Sequence, residues 1–465
     1  MRPLFPILLA SAAAFTPTTA MAQSVDATEV QRQLAAMRAE IDRLTAQVAE
    51  LQAREAEHDS APQPVVVATT SPAPAAAPAS TSAPPQGGGI QIAWKGGPEL
   101  TAPGGWSFKP RGRLQLDTAM VDAPSTLAVG QSFGTATEFR RAYMGFEGTL
   151  PGNFGYRVEA DFANSSVELT DVYLTYKAAD RLTLTIGQHK PFGGLEELTS
   201  DLFTSMMERA AFTSAFGFER RVGLSGTYAG KEVMVQLGAF ADSAADLNSD
   251  RNNSFSVDGR LVFSPKIGGG TLHVGGSAHL RDFNDLTNVA RYRARPFVHT
   301  TDVRLVDTGL FSATGERNYG AELAYVAGPF HATVEGHRMT TLRPGLPDPT
   351  FWGGYAEVGM LVTPGDTTAY KGGAYDRIRP VNPITSGGIG AIQVNARYDR
   401  IDLTDAGVSG GMQQAAGLSV IWIPTDYVRF LVNYGHLWVD NAAIPAGPDP
   451  DYQVDTLGVR AQFDF

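Results

Sequence analysis

The chain has 465 residues, of which 43% are hydrophobic and 18% are charged, and its formal net charge is −11 at pH 7. This acidic balance argues against general nucleic-acid binding, which leaves a basic footprint on a protein surface. The absence of cysteine from the sequence excludes disulfide bonds and thiolate metal sites.

The N-terminus has the features of a secretory signal. It contains a basic start at Arg2, an apolar stretch from Leu4 to Phe15, and a small-x-small cleavage motif formed by Ala20, Met21 and Ala22. The alternative is an N-terminal membrane anchor, but the apolar stretch is shorter than the ~20 residues that span a bilayer. We therefore predict a signal peptide over residues 1–22.

The next segment has a heptad pattern. Its apolar residues recur at alternating steps of four and three, which predicts a parallel coiled-coil helix over residues 23–58 in the periplasm. A single amphipathic helix lying on a surface is the alternative. Residues 59–105 are rich in Pro, Ala and Ser and carry few charges, so we expect an extended tether there. The heptad positions are Val30, Leu34, Met37, Ile41, Leu44, Val48 and Leu51.

From Trp106 onward the sequence alternates with the period of a β-strand. In YRVEADFAN, for example, Tyr156 and Val158 share one face while Arg157 and Glu159 share the other. Charges are confined to one parity and the other parity is apolar. That arrangement is typical of a membrane barrel, whose outer face meets lipid and whose inner face meets water.

Counting these segments predicts an all-β fold over residues 106–465, namely a sixteen-stranded antiparallel transmembrane β-barrel. Short connections such as PGN, AAD and AGP alternate with long ones, as expected of periplasmic turns and external loops; the connection at 363–387 breaks this rule. A barrel of this size leaves a water-filled channel. The predicted strands are 106–119, 138–150, 154–163, 168–178, 181–190, 218–229, 231–241, 253–264, 270–281, 315–327, 329–341, 351–362, 388–401, 413–424, 426–439 and 452–465.

Seven stretches along this region resemble the phosphate-selective porin O and P family of outer-membrane channels. They are FKPRGRLQLD, FRRAYMGFEGTL, TDVYLTYK, LTIGQHKPFGGLEELTS, MMERA, ERRVGLSGTY and the closing GVRAQFDF. The resemblance implies a homotrimeric porin whose third external loop folds inward to form the constriction. That loop corresponds to residues 191–217 of this sequence, and the alternative is an external loop lying over the mouth. The constriction residues would be Lys190, Glu196, Glu197, Asp201, Glu208 and Arg209.

Strand parity predicts which basic residues face the lumen. Arginine suits phosphate and carboxylate because its donors form a fixed fork. Pairing with lumen carboxylates, which would only keep the wall hydrated and rigid, is the alternative for each of these residues. The predicted pore-lining arginines are Arg111, Arg113, Arg141, Arg157, Arg221, Arg260, Arg281, Arg397, Arg429 and Arg460.

Five histidines share the inward parity, at positions 189, 273, 279, 331 and 337. Metal binding would need a converging set that spacing alone does not provide. Protonation at acid pH, which would shift selectivity toward anions, is the hypothesis that we favour.

We therefore predict an outer-membrane porin for passive diffusion of small hydrophilic solutes, which we expect to be anions such as phosphate. The alternative is a general, weakly cation-leaning porin with an envelope-tethering role through residues 23–58, which could contact the cell wall. No motif predicts a catalytic site or a cofactor. The expected partners are outer-membrane lipid and further copies of the chain.

Overall fold

The computed structural model describes residues 89–127, 133–247, 253–284 and 288–465. The predicted signal peptide (1–22), the predicted coiled-coil helix (23–58) and residues 59–88 of the predicted tether lie outside the described residues. These predictions therefore stay predictions, and the account below concerns the described part of the chain.

The first described residues form a β-hairpin. Strand β1 (Gln91–Trp94) pairs with β2 (Pro98–Ala102), and β2 pairs in turn with the first residues of β3 (Trp106–Asp122). Gly96, with φ of +83°, allows the tight connection. This hairpin occupies the C-terminal end of the range 59–105, where the sequence predicts only a tether. The low-complexity residues before it obscured the short apolar alternation in β1.

Sixteen antiparallel strands form the wall of a closed barrel, as predicted. Closure is made by the last strand, in which Val459 lies opposite Thr118 of the first. The wall strands are β3, β4 (Thr135–Leu150), β5 (Phe154–Asp161), β6 (Glu168–Ala179), β7 (Leu182–His189), β8 (Arg221–Ala229), β9 (Val233–Phe240), β10 (Phe255–Phe263), β12 (Gly270–Asp282), β17 (Gly315–Ala327), β18 (Phe330–Leu342), β19 (Thr350–Leu361), β22 (Ala391–Asp405), β23 (Val408–Thr425), β24 (Val428–Asp440) and β25 (Tyr452–Asp464).

Alternation along each strand separates the two faces of the wall. In β3, Leu114 and Met120 are 41% and 46% exposed on the outside, whereas Gln115 and Asp117 are fully buried on the inside. A polar interior and an apolar exterior are the reverse of a soluble barrel. The apolar outer face is the one that lipid stabilises.

The two ends of the barrel differ in the length of their connections. At one end, which we call the turn end, the strands are joined by short connections such as 151–153, 180–181 and 328–329. At the other, the loop end, the long connections 190–220 and 283–314 occur. Segment 362–390 is the long exception at the turn end, as the sequence indicates.

Three of these connections fold into the barrel: loop 190–220, loop 283–314 and segment 362–390. The loop end also has an unexpectedly tight hairpin at Ala406 and Gly407, both with positive φ. The short elements are α1 (Leu195–Leu198), α2 (Ala211–Ala215), β11 (Lys266–Ile267), β13 (Val289–Ala290), β14 (Arg293–Ala294), β15 (Val306–Asp307), β16 (Phe311–Ser312), β20 (Tyr370–Lys371), β21 (Ala374–Tyr375) and the 3-10 turns Ala163–Ser165 and Ile384–Ser386.

The hydrophobic core lies inside the barrel. Met206 and Phe212 of loop 190–220 cluster with Leu305 of loop 283–314 and with Phe351 and Leu403 of the wall, all of them at most 1% exposed. The two loops therefore fill part of the lumen with packed side chains. None of the described helices is long and apolar enough to cross a membrane.

Candidate functional site

Loop 190–220 lies against the inner wall on several sides of the barrel. Its inward path passes Gly194, which has φ of +129°, and a Cβ added there would lie 2.1 Å from Oε1 of Glu335. Only glycine fits so close an approach with positive φ. Farther along the loop, Ser205 Oγ donates to Oε1 of Glu357 on β19 at 2.5 Å. The predicted constriction residues 196–209 are thus placed within the barrel.

The acidic residues of this loop bind arginines of the wall. Glu196 contacts Arg397 at 2.7 Å, and Glu208 contacts Arg460 at 2.9 Å. Asp201 accepts from Arg113 and lies 2.5 Å from Nε of Arg141. The acidic balance of the loop is therefore offset by wall cations.

Burial and these partners act in opposite directions on the loop carboxyls. Burial alone would raise the pKa of Asp201, but Arg113 and Arg141 hold it well below its usual value. Arg140 and Arg460 do the same to the pKa of Glu208. For Glu196 burial prevails, so its pKa is raised despite Arg397. Asp201 and Glu208 thus remain charged anchors at neutral pH.

The three remaining residues of the predicted constriction interact with one another within the loop. Lys190 Nζ lies 2.6 Å from Oε1 of Glu197, and Arg209 lies 3.5 Å from the same carboxylate. The pKa of Lys190 is lowered to about 8, mainly because the amine is buried and next because the positive charge of Arg209 is close to it. This lysine is therefore the loop cation whose charge depends on pH near neutrality.

The remaining predicted arginines also face the interior, and each has a partner there. Arg429 donates to the backbone carbonyls of Leu202 and Thr204, which anchors the loop. The other partners are carboxylates: Arg111 and Arg157 lie 2.7 and 2.6 Å from Glu147, Arg260 lies 2.6 Å from Glu322, Arg281 lies 2.8 Å from Asp242 and Arg221 lies 3.9 Å from Glu316.

Sequence parity missed Arg140. A bulge in β4 places Arg141 opposite Gln115 and Phe139 opposite Leu116, so that Arg140 is the extra residue. Its guanidinium reaches Glu208 at 3.0 and 3.1 Å, on the lumen side. A strict two-residue period could not have assigned it to the interior.

Loop 283–314 adds arginines that the sequence analysis did not select. Arg293, Arg295 and Arg304 line a cavity of about 240 Å³ at the loop end, together with Arg140 and Arg209. Burial and the neighbouring Arg295 and Arg293 lower the pKa of Arg304 to about 10, so it stays protonated at neutral pH. The sequence RYRAR does show a cluster of arginines in this loop. Nothing in that sequence indicates that the loop folds into the barrel.

A second cavity of about 220 Å³ shares Arg140, Glu208, Arg209 and Glu219 with the first, and it continues toward loop 190–220. Together the two cavities bring eight cationic side chains to one region against four carboxylates. The cations are Arg140, Arg141, Lys190, Arg209, Arg220, Arg293, Arg295 and Arg304, and the carboxylates are Glu197, Asp201, Glu208 and Glu219.

Segment 362–390 enters the barrel from the turn end. Tyr370 Oη lies 2.5 Å from Nδ1 of His273, and the Gly373 carbonyl accepts from Arg260 at 2.8 Å. The backbone N–H of Tyr375 donates to Thr199 Oγ1 at 3.3 Å. Segment 362–390 and loop 190–220 therefore touch inside the lumen.

The five predicted inward histidines face the interior at separate places. Their nearest partners are Ser225 for His189, Tyr370 for His273, Asp258 for His279, Glu357 for His331 and Asn318 for His337. Among the residues that the structure describes, no group of three or more metal-ligating side chains converges.

Comparison with known proteins agrees with this architecture. The sequence profile of the family described as phosphate-selective porin O and P matches residues 108–465. Porin O of Pseudomonas aeruginosa is 26% identical over 82% of this chain and 93% of its own length. An uncharacterised protein of Caulobacter vibrioides is 41% identical over 98% of this chain and 95% of its own length.

Among solved structures, the outer-membrane channel DcaP of Acinetobacter baumannii superimposes with a TM-score of 0.50. The superposition covers 78% of this chain and 99% of the DcaP chain, and the sequence identity is 13%, so the match shows a similar fold. The family profile spans the wall from the third residue of β3 to the last residue of the chain. The chain belongs to the phosphate-selective porin O and P family of outer-membrane channel proteins.

Proposed function

We propose that this porin is an anion-preferring channel whose solutes are small anions such as phosphate. The observation that carries the proposal is the twofold excess of cationic over acidic side chains around the two joined cavities. Rings of arginine and lysine favour anions in pores because they lower the electrostatic energy of an anion where its hydration is reduced. Phosphate is carried over from the family's description.

The ion pairs among the lining residues also support a preference for anions. Glu208 is bound by both Arg140 and Arg460, and Asp201 by Arg113 and Arg141, so these carboxylates are already neutralised. A passing cation gains little from a carboxylate that two guanidiniums already hold.

The loop-end cavity offers guanidinium groups with fewer acidic partners. Arg304 donates to the backbone carbonyl of Asp302, and Arg295 pairs with the exposed Asp302 side chain at 2.8 Å. Within the described part of the chain, Arg293 has no ion pair within 4 Å, which leaves its donors to solvent and solute.

The test is the reversal potential of the purified full chain in a planar bilayer under a KCl gradient, repeated with phosphate on one side. A positive result is chloride preference with block of the chloride current by phosphate. Weak or cation-leaning selectivity without block would instead identify a general diffusion porin, which is the alternative given in the sequence analysis.

The homotrimer is part of the same proposal. Native mass spectrometry of the detergent-solubilised protein tests it directly, since a trimer carries three times the mass of one chain. A monomer at all detergent concentrations would contradict the trimer and leave the proposed selectivity untouched, because the cavities are lined by one chain.

A further inference from the structure

Within the wall strands that the structure describes, three arginines face away from the lumen, on the surface that meets lipid. They are Arg317 of β17, Arg338 of β18 and Arg400 of β22, and each follows the outward parity of its strand. On these strands the outward residues nearer the turn end are apolar, as Leu323 and Val334 illustrate. The arginines therefore lie at the edge of the apolar band, close to the loop end.

The strand register brings these side chains together. Arg338 lies directly opposite Trp352 of β19, and its other neighbour is Tyr319 of β17. The guanidinium of Arg400 stacks over the Trp352 ring, 4.7 Å from its centroid. Arg317 lies diagonally from Arg338, a spacing of about 7–8 Å between backbones. Together these four residues, three arginines and one tryptophan, form what we call the outer arginine patch.

The height of the patch matches a membrane interface. Phe330, at the turn end of β18, is eight residues before Arg338 and also faces outward. With about 3.4 Å per residue and a tilt of about 40°, these residues are about 21 Å apart along the barrel axis. The apolar band of such barrels is about 25 Å tall. Phe330 and the patch thus lie near opposite interfaces.

The donors of the patch have few protein partners. In the described residues, neither Arg317 nor Arg338 makes an ion pair or a side-chain hydrogen bond, and Nε of Arg400 is buried without a hydrogen-bond partner. The nearby outward carboxylates are Asp402 and Asp282. They accept backbone N–H groups of Thr404 and Asn284, and no nitrogen of the patch lies within 4 Å of them.

This contrasts with the lumen, where all ten predicted arginines have partners. Like charges on adjacent strands repel one another when no counter-charge is present. A lipid-facing arginine is also unfavourable unless it reaches the interface. Three such residues within one patch would therefore be stabilised by an anionic group at this height.

We propose that the outer arginine patch binds the phosphate of a phosphorylated lipid headgroup in the outer leaflet. Guanidinium groups match phosphate geometry through paired donors, and basic clusters at a membrane face recognise anionic headgroups. Trp352 places an amphipathic ring at the same level, where tryptophan is enriched. The site is separate from the channel, so its occupancy and the proposed ion selectivity are independent.

Binding of bisphosphorylated lipid A to the detergent-purified full chain, followed by native mass spectrometry, tests the proposal. Fully dephosphorylated lipid A is the comparison ligand. We expect retention of the phosphorylated form, and about 100-fold weaker binding by R317Q/R338Q/R400Q, since each cation near a membrane surface contributes about fivefold. The matched control K177Q/K231Q/K266Q removes three charges near the turn end and keeps wild-type binding.

Equal retention of both lipids, or wild-type binding by the triple variant, would overturn the proposal. Loss of oligomers by the triple variant in lipid-free micelles would assign the patch to a contact between copies instead. R338Q alone, at an exposed position, guards against a folding defect: it keeps the heat-modifiable mobility of a folded barrel and binds about fivefold more weakly. Inorganic phosphate at the same concentration should leave lipid binding unchanged.

Discussion

The least compensated cations of the lumen give the sharpest test of anion preference. Arg293 and Arg304 line the loop-end cavity, and neither forms an ion pair with a carboxylate in the described part of the chain. The double variant R293Q/R304Q removes two charges while keeping side chains of similar length and hydrogen-bonding ability. It leaves the wall ion pairs of loop 190–220 in place.

The size of the effect follows from Coulomb's law. A chloride passing about 6 Å from each guanidinium in water gains about 0.7 kcal/mol per charge, or about 1.4 kcal/mol for both. Screening at 0.1 M salt, where the Debye length is about 10 Å, reduces this to about 0.8 kcal/mol. The local chloride concentration then falls about fourfold in the variant. At 1 M salt the Debye length of about 3 Å leaves a change below twofold.

The assay is the reversal potential in a planar bilayer at both salt concentrations. We expect the chloride-to-potassium permeability ratio to fall by at least about fourfold at 0.1 M and by much less at 1 M. R181Q/K231Q removes two charges from the short turns and should keep the wild-type ratio. An unchanged ratio in a folded R293Q/R304Q barrel would refute the assignment of these arginines to the solute path.

Three other predictions follow from the lumen and from the N-terminal segment. Arg460→Gln leaves the buried Asp117 without its cation, so it should lower the free energy of unfolding by about 3–5 kcal/mol in urea titrations, and D117N/R460Q should recover part of that loss. Because the pKa of Lys190 is lowered to about 8, its charge is present below that pH and lost above it; the anion preference should fall between pH 7 and 9, and Lys190→Arg should abolish that dependence. Deletion of residues 23–89 should leave conductance intact if the coiled coil is a tether, and a closed or unfolded channel would show that the segment is needed for the pore.

The wall of the barrel was predictable because a single physical rule governs it. Each wall strand separates lipid from the lumen, so polarity must alternate with a period of two. The rule assigns Arg113 and Arg460 inward and Leu114 outward from sequence alone. It fails at Arg140, where the bulge inserts one residue and reverses the parity.

The contents of the lumen were much less predictable. The inward path of loop 283–314 depends on packing between distant residues, such as Leu305 against wall side chains, and leaves no periodic signal. The unusual length of the connection at 363–387 did indicate that this segment does more than join two strands. Its contacts with Thr199 and Arg260 required the three-dimensional structure.

The seam between β25 and β3 also constrains how the molecule assembles. Arg460 and Asp117, 343 residues apart in the chain, join across this seam, and Glu208 of loop 190–220 binds the same guanidinium. Contacts of such long sequence separation form late, because the entropy of closing so large a loop opposes them. The final strand must therefore be in place before loop 190–220 can be locked. Once formed, this buried junction opposes separation of β25 from β3. The lifetime of the folded barrel therefore depends on the rate at which the seam opens.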